Sequence, residues 1–222
     1  EIKKTFFLLL FLSIATFAQK KFEIKDASEA FDASFVVESC DADFCRGEIA
    51  FSLFRKGAKK PFQTIRLADT EFMLDEAELT NTKLMYDRQS VVFFEDYNFD
   101  GKPDLALRDG NNSGYGGPSY QIYVFSAARK KFVRSAAFTE LAQGANLGMF
   151  EVDAKKRRLR AFSKSGCCWH QRQEFAVIGN RPRKVFEETE DAFSDEKRVI
   201  ITTKKLIKGR WQTRVRYAAR TD

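Results

Sequence analysis

The sequence predicts an all-β fold, an antiparallel sandwich or barrel-like single domain. Short runs rich in Phe, Val, Ile, Tyr and Thr recur at close spacing, and many alternate apolar with polar residues. Glycine-containing turn sequences such as Gly-Gly-Pro at 116–118 and Lys-Gly at 208–209 separate several of them. The 23 phenylalanines supply much of the apolar volume that the core of such a fold needs.

The predicted secondary-structure elements follow from this pattern. The run 210–217 alternates with period two and offers one apolar face, which is typical of a strand in a terminal hairpin. Helix signals are sparse, and only 69–78 and 138–143 are each predicted to form a turn or two of helix. Strands are predicted at 31–38, 48–54, 91–94, 104–107, 120–125, 159–163, 174–178, 198–203 and 211–217.

The N-terminal residues 1–18 are predicted to be a signal peptide, which leaves 19–222 as a single β-rich domain. Lys3 and Lys4 precede the apolar run 6–14, and Thr16 and Ala18 place small residues before a cleavage site at Gln19. This run is shorter than the roughly 20 residues that span a bilayer. No cysteine follows it for lipid attachment. The sequence therefore predicts a periplasmic or secreted protein without a stable membrane anchor.

The four cysteines are expected to form two disulfides, as an even count in an exported chain indicates. They are Cys40, Cys45, Cys167 and Cys168, and their connectivity stays open. A bridge between adjacent residues strains the backbone, so cross-pairing of the two pairs is weakly favoured. Zinc binding by these thiols and His170 is the alternative, but neither a C-x-x-C spacing nor a paired histidine supports it.

A carboxylate-rich loop between two predicted strands has the oxygen spacing of a calcium site. Gly101 permits the sharp turn of such a loop. The flanking strands exclude a helix–loop–helix EF-hand, and Leu107 stands where an EF-hand places its glutamate. The alternative is an Asx-rich turn that only mimics a calcium loop. The expected ligands of one Ca²⁺ are the side chains of Asp96, Asn98, Asp100 and Asp104 and the backbone carbonyl of Lys102.

A second loop, 111–120, is small, polar and aromatic, a composition that suits protein recognition. No Gly-Lys-Ser/Thr follows it, and it leads into a strand, which argues against phosphate binding. The alternative is a plain surface loop with Tyr120 packed in the core. The predicted partner contacts are Ser113, Gly114, Tyr115, Gly116, Gly117, Ser119 and Tyr120.

The order of these motifs resembles a family of exported bacterial proteins. Asp-x-Asn-x-Asp-Gly-x-x-Asp-Leu is followed by Ser-Gly-Tyr-Gly-Gly-Pro-Ser-Tyr and then by Ser-Gly-Cys-Cys-Trp-His at 165–170, so the resemblance spans about 91–185. The family includes immunity proteins against peptidoglycan-cleaving effectors of type IV secretion and is similar to periplasmic I-type lysozyme inhibitors. The resemblance implies a β-sandwich whose loop 113–120 enters a lysozyme's active-site cleft, with Ser113 and Tyr115 nearest the catalytic acid.

The sequence predicts a binding protein and not an enzyme. It contains no Gly-x-Ser-x-Gly, His-Glu-x-x-His or Walker motif, and His170 is its single histidine. The net charge of +7 favours an anionic partner, but the basic runs carry no nucleic-acid motif. We expect a calcium-binding inhibitor of a lysozyme-like peptidoglycan hydrolase. The alternatives are a non-inhibitory, calcium-stabilised cell-surface binding module and an unrecognised hydrolase.

Overall fold

The structure is a computed structural model that describes residues 19–41, 44–73 and 90–220. The predicted signal peptide 1–18 and residues 74–78 of the predicted helical turn lie outside the described residues. No helix in these three ranges combines the length and the apolar character that crossing a membrane would require.

The described residues form three antiparallel sheets, and each sheet joins its strands in chain order. The first contains β1 (Lys20–Ile24), β2 (Phe31–Asp41), β3 (Phe44–Arg55) and β4 (Gln63–Met73). The second contains β5 (Val92–Glu95), β6 (Asp104–Gly110), β7 (Ser119–Ser126) and β8 (Lys131–Arg134). The third contains β9 (Glu151–Asp153), β10 (Arg158–Ser165), β11 (Trp169–Ile178), β12 (Arg181–Asp191), β13 (Arg198–Ile207) and β14 (Arg210–Ala219).

The second sheet lies at the centre of the molecule, because both of its faces are covered. Successive side chains of a strand point to opposite faces. Leu105 and Leu107 of β6 therefore enter a core shared with the first sheet, whereas Ala106 enters a core shared with the third. Every residue of β6 is consequently buried. The predicted all-β antiparallel class is confirmed. The three sheets form layers, with one hydrophobic core between the first and second sheets and another between the second and third.

The helical segments close the second core. The short helix α1 (Ala136–Thr139) runs into a 3₁₀ turn at Glu140–Ala142, in agreement with the prediction at 138–143. Phe138 is fully buried in this core, to which Tyr120 also belongs. Burying a phenylalanine contributes about 1.5–3 kcal/mol. The segment therefore covers part of the central sheet with apolar side chains.

The first part of the predicted helical turn at 69–78 is a strand, which corrects that prediction. Ile65, Leu67 and Phe72 of β4 are buried, but their spacing shifts after Leu67. The shift matches a bulge in β4, where Ala68 and Asp69 lie opposite the single residue Glu48 of β3. A bulge inserts an extra residue and breaks the period-two pattern. Because of this bulge, the apolar residues of 63–73 do not alternate regularly along the sequence, and the pattern does not indicate a strand.

The disulfides also correct a prediction, because both are local. Cys40 and Cys45 face each other across β2 and β3, and Cys167 is bonded to its neighbour Cys168. The first pair lies in the first sheet and the second in the turn between β10 and β11 of the third sheet, with the central sheet between them. Cross-pairing is therefore wrong, and Gly166 at φ 61° forms the tight turn that precedes the adjacent pair.

Candidate functional site

The carboxylate loop between β5 and β6 is shaped by side-chain bonds to its own backbone. The Asp96 carboxylate accepts the N–H groups of Asp100 at 3.0 Å and Gly101 at 2.8 Å. The Asn98 side-chain oxygen also accepts the Asp100 N–H, at 3.0 Å, and Asp100 accepts the Lys102 N–H at 2.9 Å. The bonds that Asn98 and Asp100 accept from the N–H group two residues later are Asx turns, which hold a loop in a tight coil. The Asp96 carboxylate bridges four and five residues across the same loop.

Asp104 anchors this loop to the rest of the central sheet. Its side chain is fully buried, and one carboxylate oxygen accepts the N–H groups of Tyr97 at 3.0 Å and Asn98 at 3.2 Å. The other oxygen accepts the Phe125 N–H of β7 at 2.8 Å. Burial raises the pKa of Asp104 to about 7, against the opposing effect of these three N–H donors.

Whether this loop suits calcium depends on the oxygen atoms other than those of Asp104. Within the described ranges, no three His, Cys, Asp or Glu side chains come together as a metal-binding group. The Asn98 amide nitrogen donates to Asp100 at 3.1 Å, so the loop satisfies itself internally, as the Asx-turn alternative expects. Carboxylate, amide and carbonyl oxygens are nevertheless the ligands that calcium prefers. The donor types fit calcium. The predicted ligand Asp104 is occupied by three backbone N–H groups and anchors the loop, so it is left out of the calcium set proposed below.

The glycine- and tyrosine-rich loop projects one aromatic side chain. Tyr115 is 66% exposed and adopts a left-handed conformation with φ 60°. Its hydroxyl oxygen accepts the N–H of Gly166, and the Lys164 ammonium lies 5.1 Å from the ring centroid. A cation over an aromatic ring is attracted to it. The turn after β10 therefore holds Tyr115 in a defined position at the surface.

The backbone around Tyr115 is fixed by contacts with the loop at 145–148. The Gly114 N–H donates to the Asn146 carbonyl at 2.7 Å, and the Gly148 N–H donates to the Ser113 hydroxyl at 3.2 Å. A Cβ on Gly114 would lie 2.9 Å from the Ala145 carbonyl oxygen, so this close approach requires glycine. The loop is consequently rigid at its base.

Three of the predicted contact residues support the loop from inside. Ser113, Ser119 and Tyr120 are all buried. The Ser119 hydroxyl donates to the Asp109 carboxylate, and the Tyr120 hydroxyl donates to the Ser90 carbonyl at 2.9 Å. Their side chains therefore do not face a partner, which corrects that expectation for these residues. The surface offered by the loop is Tyr115 with its flanking glycines.

Residues distant in sequence extend this surface. Phe193 is 63% exposed, and a Cβ on Gly166 would lie 3.7 Å from its ring. The exposed Cys167 and its bonded neighbour Cys168 continue the same turn. We name Tyr115, the turn 166–168 and Phe193 the Tyr115 ridge. Phe193 was missed in the sequence because no local motif connects it with the Tyr115 loop.

Comparison with known proteins gives a likeness in fold. No protein-family model matches the chain, and no curated protein matches it. A solved Xanthomonas protein, described as related to a type IV secretion system, matches with a TM-score of 0.70. The match covers 90% of this chain and 96% of that one at 21% identity. At this identity the likeness shows a shared all-β fold.

Proposed function

We propose that this protein is an exported inhibitor of a lysozyme-like peptidoglycan hydrolase and that the Tyr115 ridge is its binding element. The observation that carries the proposal is Tyr115 itself, an exposed aromatic side chain on a loop whose backbone is fixed. Ordering a flexible loop on binding costs affinity, and a loop that is already ordered avoids that cost. The proposed activity is binding, without catalysis by this chain.

The chemistry of the ridge suits the active-site cleft of such an enzyme. Gly114, Gly116 and Gly117 carry no side chains, so the loop is narrow around the one projecting ring. The Tyr115 hydroxyl accepts one N–H and keeps its own proton for donation to a catalytic carboxylate. Lys164 beside the ring adds positive charge toward an acidic cleft. The resemblance of the loop sequences and the fold shared with the Xanthomonas protein support the same assignment.

The proposal includes a structural Ca²⁺ held by Asp96, Asn98, Asp100 and the Lys102 carbonyl. The ion would neutralise carboxylates that otherwise repel one another, while Asp104 keeps the base of the loop attached to β7. A ligand that binds only the folded state stabilises it, by about 2.7 kcal/mol at a concentration of 100 times Kd. We expect the melting temperature to rise with free calcium, and we expect Asp100→Ala to abolish that rise. An unchanged wild-type melting temperature would leave the loop as an Asx turn alone.

The inhibitory role is tested by adding the purified protein, residues 19–222, to lysozymes of several structural types and measuring the lysis of peptidoglycan. We expect stoichiometric inhibition of at least one type. Binding to a hydrolase without loss of lytic activity would instead favour the non-inhibitory cell-surface module. Lysis of peptidoglycan by the protein alone would indicate the unrecognised hydrolase.

A further inference from the structure

The hairpin of β13 and β14 forms an exposed edge of the third sheet. β14 is ten residues long and stands last in the order of that sheet, so one of its edges is not paired with another strand of the described chain. Its residues are exposed on both faces, with Ala218 as the half-buried exception. Free edges present rows of unpaired N–H and C=O groups that can accept another strand.

The two faces of β14 differ in chemistry because its sequence alternates with period two. One face carries Arg214 and Arg216. The opposite face carries Trp211, Val215 and Tyr217, whose exposed fractions are 46%, 48% and 57%. Only Thr213 separates Trp211 from Val215 on this face, and an exposed apolar stripe of this kind is typical of an interaction site. This face therefore indicates contact with another molecule.

The charge of the hairpin identifies the chemistry of that molecule. No Asp or Glu occurs between 198 and 219. Three of its cations reach acids elsewhere: Arg198 lies 2.8 Å from Asp195, Lys204 lies 2.9 Å from Glu187, and Arg216 lies 4.0 Å from Glu188. Within the part of the chain that the structure describes, no ion pair is formed by Lys208, Arg210 or Arg214.

We propose that the free edge of β14 binds an extended acidic segment of a partner protein, which adds to the third sheet as an antiparallel strand. Neighbouring strands place their side chains on the same two faces. Acidic residues of the segment would lie beside Arg214 and Arg216, and apolar residues would lie beside Trp211, Val215 and Tyr217. The segment that fits therefore alternates acidic with apolar residues.

A second copy of this chain fits the edge less well. Antiparallel pairing of two β14 strands brings the arginine face of one copy level with the arginine face of the other. Like charges on adjacent strands are destabilising. An acidic segment replaces this repulsion with attraction and keeps the apolar contacts, so the charge of the hairpin favours it over a dimer.

The test uses a synthetic peptide about as long as the ten-residue β14 that alternates glutamate with valine or tyrosine. One control peptide has the same composition in scrambled order. The other keeps the alternation but has lysine in place of glutamate. We expect the alternating peptide to bind at least about tenfold more tightly than either control by calorimetry. We also expect it to slow hydrogen exchange of the backbone amides of β14, because added strands pair through the backbone.

Charge reversal separates this site from general attraction to a basic protein. Arg214→Glu should weaken binding of the alternating peptide by about tenfold, whereas Arg129→Glu, in the exposed turn between β7 and β8, should leave it unchanged. Equal binding of the scrambled peptide, or equal loss in both variants, would overturn the proposal. A reversible dimer that protects the β14 amides without peptide, or anionic vesicles that compete with the peptide, would assign the edge to another occupant.

Discussion

Replacing Asp104 with alanine should be among the most destabilising single changes in the central sheet. The side chain is fully buried, and its two oxygens accept N–H groups from Tyr97, Asn98 and Phe125 at 3.0, 3.2 and 2.8 Å. Alanine removes both acceptor oxygens and therefore all three hydrogen bonds at once. The change therefore disconnects the carboxylate loop from β7 while leaving every apolar contact of the two cores in place.

The size of the effect follows from these bonds. A buried N–H group that loses its acceptor costs about 1–3 kcal/mol. Three such groups give about 3–9 kcal/mol, and water entering the space of the lost carboxylate shifts the expectation to the lower end. A loss of about 3 kcal/mol is already a large part of the 5–15 kcal/mol by which a typical domain is stable.

Urea unfolding followed by circular dichroism, with a chelator present to exclude calcium effects, measures this loss. Asp100→Ala is the matched control, because its carboxylate accepts the exposed Lys102 N–H at 2.9 Å and should cost less than about 1 kcal/mol. If Asp104→Ala costs no more than Asp100→Ala, then Asp104 does not anchor the loop and the reasoning fails.

Three further predictions concern stability and covalent structure. Burial opposes ionisation of Glu187, but Lys184 at 2.6 Å and Lys204 at 2.9 Å outweigh it and lower its pKa to about 2, so Glu187→Gln should destabilise the protein at pH 7 and progressively less as pH falls from about 4.5 to 2. If the difference in melting temperature between the wild type and Glu187→Gln did not change with pH, the ion pairs of Glu187 with the two lysines would be rejected as the cause. The buried Tyr97 hydroxyl has no partner in the described part of the chain, so Tyr97→Phe should leave the free energy of unfolding unchanged or raise it. Peptide mapping without reduction should recover the local pairs Cys40–Cys45 and Cys167–Cys168. A disulfide that joins either of the first two cysteines to either of the last two would contradict the fold.

Local patterns were sufficient to predict much of the fold. The alternation at 210–217 predicted a terminal strand, and β14 forms a hairpin with β13 as expected. β12 was missed because its many charged residues pair with those of neighbouring strands, as Glu188 does with Arg172 of β11 at 3.3 Å. A strand whose side chains form ion pairs with neighbouring strands carries little apolar signal.

The candidate site was predictable only in part. The Tyr115 loop was visible as a motif, but the sequence left open whether Tyr120 contacts a partner or packs in the core, and the structure shows that it packs in the core. The two tyrosines differ because Tyr120 faces the second core, whereas Tyr115 lies on a left-handed turn outside it. Phe193 joins the ridge through the arrangement of the third sheet, which no local spacing encodes.

Whether Tyr115 is the inhibitory contact is decided by the inhibition constant of Tyr115→Ala against the sensitive hydrolase. A central aromatic contact is worth about 2 kcal/mol, so inhibition should weaken by at least about tenfold while the melting temperature stays unchanged. Tyr217→Ala is the control, because this tyrosine is also exposed, at 57%, but lies on β14. We expect Tyr217→Ala to inhibit as well as the wild type. Full inhibition by Tyr115→Ala together with a loss in Tyr217→Ala would contradict it and place the binding surface on the β13–β14 hairpin.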